Sequence, residues 1–430
     1  MKPSILIVGA GAAGLMTAYE LSRKGFPVTV VEASGRIGGR IHTIYNASFG
    51  QPVELGAEFV HGKLPLTLGL LKEASIDYKP VQGEFYRVKQ GKWIEEEALE
   101  GWRVIEKKMN ALEKDLPLED FFSQYFNEPQ YQSLRQFITG FAEGFELADT
   151  HRVSTKIVWE DWIKNEEEEY RIKGGYGKLI EYLEKICREN GVNFHNNFQV
   201  QKVTWKQNSV LLTAIDGRAL QADKLVLAVP LSVLQSNDPK DAISFDPPLL
   251  QANKAFSWIG WGKVIKFIFK FRENLGGKRN TGFILSDEQI PTWWLQSPGD
   301  TTLLTGWFGG PKAETMLSVS EEELKEKALL SLANIFEKNI QTLKELLQAW
   351  EIVHWGKVEN IEGGYSYDTT ESAYAKKFLQ TPVEETIYFA GEAIYTGPSG
   401  GTVEAALESG KKAADLLSEP GFTRLEDYQN

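Results

Sequence analysis

The first forty residues constrain this chain more than any other stretch. Ile5, Leu6, Ile7 and Val8 form an apolar run of strand length that leads into Gly9, Ala10, Gly11, Ala12, Ala13 and Gly14. A second apolar run, residues 28–31, ends on Glu32, eighteen residues past Gly14. A GxGxxG alone is weak evidence. One that follows a strand, opens a helix and is followed at this distance by an acid reads as a dinucleotide-binding βαβ unit. Gly9 permits the tight turn, Gly11 lets a pyrophosphate approach the backbone, and Gly14 lets the helix pack on the sheet. The first N–H groups and the dipole of that helix then hold phosphate. Glu32 is placed to accept hydrogen bonds from a ribose 2′-OH. An ordinary glycine-rich turn leaves this joint spacing unexplained.

Just past the acid come Ala33, Ser34, Gly35, Arg36, Ile37, Gly38, Gly39 and Arg40. Gly38 and Gly39 can turn N–H groups toward an anion, and the arginines add positive charge near phosphate. A nicotinamide site does not need this second loop. Residues 32–40 resemble the adenine-side motif of the flavin-containing amine oxidases, the family of monoamine oxidases, polyamine oxidases and lysine-specific demethylases. Leu55, Gly56, Ala57, Glu58 and Phe59 resemble that family's loop beside the flavin. Residues 387–392 and 401–410 resemble its C-terminal flavin motif. The resemblance implies noncovalent FAD and an α/β fold, a doubly wound Rossmann-type FAD-binding domain interleaved with an α+β substrate domain. It places cofactor contacts at Gly9, Gly11, Ala13, Gly14, Glu32, Ala33, Gly39, Arg40, Gly56, Ala57, Glu58, Val200, Trp355, Gly391, Glu392, Thr402 and Val403.

A chain of 430 residues is long for one simple core. The expected division gives residues 1–80, 195–250 and 356–430 to the FAD-binding domain. Residues 81–194 and 251–355 form the substrate domain. Polar turns between the apolar runs of 192–230 predict several strands there. The acid run at 166–169 reads as a solvated turn or helix end. The net charge of −12 argues against general nucleic-acid binding, which wants a basic face. Twelve Trp, fifteen Tyr and 23 Phe favour an aromatic-lined cavity only mildly, because such residues also fill cores. Cys187 is the only cysteine, so no intrachain disulfide forms, and with five His a metal cluster is not expected. Four residues precede the first strand, and no run of about eighteen apolar residues occurs. The expectation is a soluble, cytoplasmic protein with no membrane contact. The polar C-terminus differs from the anchoring tail of the mitochondrial monoamine oxidases.

The catalytic candidates lie further along. Residues 262–271 alternate with the period of a strand, putting Lys266 and Lys270 on one parity and Lys263 on the other. The resemblance puts Lys266 where the family holds a water beside flavin N5, with Lys263 as the alternative. Trp355 and Tyr365 keep the family's spacing of ten, which makes Tyr365 a cavity wall. Gly364 replaces the monoamine oxidases' cysteine for covalent flavin attachment. Thr402 stands where monoamine and polyamine oxidases have a second wall tyrosine. His61 resembles a polyamine-oxidase histidine near the amine and is a candidate for substrate binding, with a structural role as the alternative. Together these imply an oxidoreductase that takes a hydride from an amine or amino acid to the flavin, with imine hydrolysis and reoxidation by O2 to hydrogen peroxide. Two alternatives stay open. One is a desaturase of the phytoene desaturase or protoporphyrinogen oxidase type. The other is a flavin-binding protein without turnover.

Overall fold

The computed structural model describes residues 1–94, 101–164 and 168–419. Glu166 and Glu167 of the acid run and the tail past residue 419 lie outside these. The chain builds on a five-stranded parallel sheet in the order Asn193–His195, Val28–Val31, Ile5–Val8, Lys224–Leu227, Ile387–Phe389. Ile7 lies opposite both Val30 and Val226. All four residues of Ile5–Val8 are buried, as an unbroken apolar run in a parallel sheet covered on both faces should be. Helix Ala12–Arg23 packs against the last helix, Val403–Ser418. The two approach closely because Gly410 carries no side chain; a Cβ there would overlap Ala13 O. Thr17 Oγ1 donates across the gap to Gly410 O at 3.0 Å. The two ends of the sequence are thereby joined in one nucleotide-binding unit.

A four-stranded sheet follows, in the order Ala219–Ala222, Ser209–Ala214, Val200–Lys206, Ser244–Asp246. A seven-stranded sheet draws on Leu347–His354, Val264–Phe271, Leu303–Gly309, Thr292–Leu295, Thr281–Ser286, Glu84–Lys89 and Lys92–Ile94, in that order. Strand Val264–Phe271 divides by parity. Ile265, Phe267, Phe269 and Phe271 pack with Leu324, Ala328 and Leu332 of helix Glu321–Ile335. The alternate positions face the other way: Ile268 packs on Phe49, Val53 and Leu55, and Lys266 reaches Gly56 and Glu58. Trp307 and Val353 are the direct cross-strand neighbours of Lys266. Helices Trp102–Asn110, Leu118–Tyr125, Gln132–Gly144 and Thr155–Lys164 contribute to a separate aromatic core. Among the described residues no helix is long and apolar enough to cross a membrane.

Candidate active site

One continuous cavity of about 1480 Å³ runs from the glycine turn to the face of the seven-stranded sheet. A single small-molecule site occupies roughly 300–1,000 Å³, so this cavity has room for a cofactor and a substrate end to end. At the nucleotide end it is lined by Gly9, Gly11, Ala13, Glu32, Gly39 and Arg40. The Glu32 carboxylate is held in place: Ala10 N donates to Oε2 at 2.9 Å, and Ser34 N and Oγ donate to Oε1 at 2.9 and 3.0 Å. Oε2 keeps an acceptor site for a ribose hydroxyl. A Cβ on Gly11 would meet nothing within 4 Å, so the backbone there opens directly onto the cavity. Gly14 is different: a Cβ there would overlap Gly9 O, and it serves helix packing rather than the cavity wall.

These residues fit a dinucleotide, and the contrast between the two glycines has a consequence. Gly11→Val should fold and bind FAD at least about tenfold more weakly, by blocking the phosphate approach. Gly14→Val should fail to accumulate as folded protein. FAD titration and circular dichroism of both variants check this; full FAD affinity in Gly11→Val would remove the phosphate site from this turn.

The arginines of the second loop are already committed. Arg36 donates to Ile41 O at 2.8 Å and to Gly39 O at 2.6 Å, and burial holds its guanidinium below the usual range. Arg40 bonds Gly364 O and pairs with Glu392 Oε1 at 2.9 Å. Glu392 is buried and also accepts from Ser366 Oγ at 2.6 Å. Both half-buried arginines shape their loops through these acceptors while lining the cavity. Trp355 lines the cavity and is fixed by Nε1 donating to Leu55 O at 2.9 Å. Gly56, Ala57, Glu58, Gly391, Thr402 and Val403 line it too. Ala33 and Val200 are not on its wall; Val200 is buried with Phe198 in the core under the four-stranded sheet.

Lys266 is 1% exposed and lines the cavity. Its ammonium pairs with Glu58 Oε2 at 2.8 Å and donates to Gly56 O at 3.0 Å. Glu58 Oε1 accepts from Arg171 Nε at 3.0 Å, Trp294 Nε1 at 3.0 Å and Gln296 Nε2 at 2.9 Å. Burial pushes this carboxyl up, but Lys266 and Arg171 together outweigh it and hold it down at about 2. The Glu58 side chain lines the cavity and anchors a buried cluster of two cations and one anion. Lys263 lies before the strand, pairs with Glu314 at 2.9 Å and is not on the cavity wall. The sequence carried little signal for Arg171, Trp294 and Gln296, which reach Glu58 from other segments.

On the substrate side, the Tyr365 ring lies against Gly401, next to Thr402. Its hydroxyl donates to Phe145 O, and burial raises its phenol well above the usual range, so it is a neutral wall. Thr402 Oγ1 caps helix Val403–Ser418, accepting from Ala405 N at 3.2 Å and donating to Ser399 O at 2.7 Å. That helix start, with its partial positive charge, faces the cavity. Gly364 has no side chain, and a Cβ there would run into Leu147. His61 lines the cavity with its Nδ1 2.8 Å from Glu169 Oε1. A carboxylate only accepts, so Nδ1 carries the proton and Nε2 is the free ring nitrogen. Among the described residues no group of three or more His, Cys, Asp or Glu could hold a metal.

The family model for flavin containing amine oxidoreductase matches residues 12–418. Polyamine oxidase 2 of Arabidopsis thaliana is 27% identical, over 96% of this chain and 88% of that protein. Lysine-specific histone demethylase 2 of Homo sapiens is 25% identical, over 91% of this chain and 50% of that protein. In fold, the chain is similar to the solved structure of cyclohexylamine oxidase from Brevibacterium oxydans, with a TM-score of 0.80, 19% identity and coverage of 97% and 99% of the two chains. A putrescine oxidase bound to putrescine superposes with a TM-score of 0.78 at 20% identity, covering 97% of this chain and 100% of that one.

Proposed function

This chain belongs to the flavin containing amine oxidoreductases, and on that footing we propose how its own residues serve the oxidation of an amine C–N bond. The observation that carries the reading is the single cavity that joins the Glu32 and Gly11 end to Lys266 and Tyr365. Bound FAD supplies the hydride-accepting chemistry that converts the amine to an imine, which water then hydrolyses. The Gly11 turn and Glu32 hold the dinucleotide half. Gly56, Trp355 and the start of helix Val403–Ser418 line the adjoining stretch of cavity and would hold the flavin end of the cofactor. Tyr365 and Trp307 wall the place where the amine carbon must lie and exclude water from it. The free Nε2 of His61 is the group that accepts a hydrogen bond from the amine N–H, held in that tautomer by Glu169. Lys266 keeps one N–H beyond its two protein bonds, available to a water or to dioxygen. We infer dioxygen as the electron acceptor. The parallel and four-stranded sheets form the cofactor domain and the seven-stranded sheet with its helices the substrate domain. Residues 177–194, expected in the substrate domain, go with the cofactor domain because helix Gly177–Glu189 packs on helix Ala12–Arg23 and strand Asn193–His195 joins the parallel sheet. The single buried Cys187 suits a reducing compartment, which supports a cytoplasmic setting.

Neither a desaturase nor a flavin carrier without turnover accounts for the amine-oxidase relatives. FAD is held noncovalently, as Gly364 offers no nucleophile. Acid precipitation should release the yellow colour into the supernatant, and an amine added without oxygen should bleach the holoprotein. Colour that stays in the pellet would overturn noncovalent binding, and a panel of amines that never bleaches it would overturn amine oxidation.

A further inference from the structure

The two rings that wall the reaction end are held by one short segment. Trp307 Nε1 donates to Gly144 O at 2.7 Å, and the Tyr365 hydroxyl donates to Phe145 O. Both acceptors lie where helix Gln132–Gly144 ends. The rings are near-parallel, their centroids 6.4 Å apart at 17°. Two residues past Phe145 comes Leu147, which is fully buried and held at a φ of +56°. In that left-handed region a side chain crowds the following carbonyl, so glycine or asparagine is the usual occupant. Strain of this kind persists only where the surroundings fix it, and it gathers at functional sites.

What fixes Leu147 is a socket of three glycines. A Cβ on Gly262 would run into Leu147 O and Cβ, one on Gly309 into Leu147 Cδ2, and one on Gly364 into Leu147 Cδ1. None of the three has a positive φ, so the path of the chain does not demand glycine at any of them. What they share is the room they leave for Leu147. Gly262 precedes strand Val264–Phe271, Gly309 ends strand Leu303–Gly309, and Gly364 adjoins Tyr365. Gly364 N donates to Gly262 O at 2.8 Å and closes the socket. Leu147 packs there with Val264, Trp355 and Ile361, and Trp307 and Tyr365 lie against the same cluster. Leu147 itself is not on the cavity wall, so it touches the reaction only through those rings. We propose that Leu147 is a positioning residue for amine oxidation. Its side chain wedges into the socket and fixes Gly144 O and Phe145 O, and through them the angle of Trp307 and Tyr365 at the reacting carbon. This deepens the amine-oxidase reading and rests on it.

The test compares Leu147→Gly and Leu147→Met with the wild type, each loaded with FAD. Glycine takes the left-handed backbone without strain and removes only the wedge. Methionine refills the socket. Benzylamine, n-butylamine and 1,4-diaminobutane are the probes, and crystal structures of the loaded proteins locate the rings without any substrate. Leu147→Gly should bind FAD and displace the Tyr365 and Trp307 rings by about 1 Å. Its kcat should fall by about 10²-fold while KM moves less than about threefold, the signature of lost orientation. Leu147→Met should stay within about threefold of the wild type in kcat, as a swap of similar volume does. Gly364→Ala presses on the wedge from the other side and decides the matter if Leu147→Gly does not fold. It should move the same rings and lower kcat by about tenfold or more. Rings that keep their places in these variants overturn the proposal, as does a fall in kcat without ring movement. A loss in Leu147→Met as large as in Leu147→Gly overturns it too. Displaced rings in a protein whose wild type oxidises none of the three amines support the wedge and overturn the reaction assigned to the rings.

Discussion

Glu58→Ala is expected to cost about 3–5 kcal/mol of unfolding free energy, because it leaves two buried cations without their anion. Lys266 and Arg171 have side chains 1% and 9% exposed, so water cannot take over the role of the carboxylate. The exposed pair Lys173 and Asp77, 3.6 Å apart with both side chains more than three-quarters exposed, is the contrast: such pairs contribute about 0–1 kcal/mol. Urea unfolding with saturating FAD in every sample measures the difference, since ligand binding itself adds stability. Adding Lys266→Met to Glu58→Ala should recover part of the loss, a coupling of about 0.5–3 kcal/mol. A loss below about 1 kcal/mol would mean the cluster is open to solvent.

The same carboxylate sets a pH dependence with a definite sign. Its folded value of about 2 lies below the roughly 4.3 of an unfolded glutamate. Its contribution is therefore complete above pH ~4.3 and fades as pH falls toward 2. Glu58→Gln should flatten that limb of the stability curve.

How much of this was legible in the sequence depends on how local each feature is. The glycine turn and Glu32 belong to one βαβ unit, and their spacing alone located them. The period of two placed Lys266 on the cavity parity, because strand Val264–Phe271 buries its odd positions under helix Glu321–Ile335. Lys263 falls outside that strand, so parity did not govern it. The partners of Lys266 were not legible. Arg171 reaches Glu58 because strand Glu169–Ile172 pairs with Phe59–His61, and Trp307 faces Lys266 through a pairing between distant strands. No local pattern encodes either register. The acceptors of the arginines at 36 and 40 were not legible either. Both side chains line the cavity, yet the carbonyls and the carboxylate that orient them come from loop geometry and from the distant Glu392.

Lys266→Met is expected to slow reoxidation of the reduced enzyme by oxygen about 10²–10³-fold, the usual cost of losing one positioned donor at a site of developing negative charge. Methionine is unbranched and fills the same channel without a charge. It leaves Glu58 with Arg171, Trp294 and Gln296 as donors, so the carboxylate keeps a cation and three hydrogen bonds. That separates this variant from Glu58→Ala: the protein should remain folded and retain its FAD, and the loss should be kinetic. Stopped-flow absorbance resolves the two half-reactions, bleaching by amine without oxygen and recovery when oxygen is admitted. Slower recovery with bleaching little changed assigns Lys266 to the oxygen step. Slower bleaching instead would assign it to the amine step, where an ammonium over the Trp294 ring and on the cavity wall sets the field felt by the substrate nitrogen. Rates unchanged in both halves would reduce Lys266 to the counter-ion of Glu58, and the buried cluster would then be structural only.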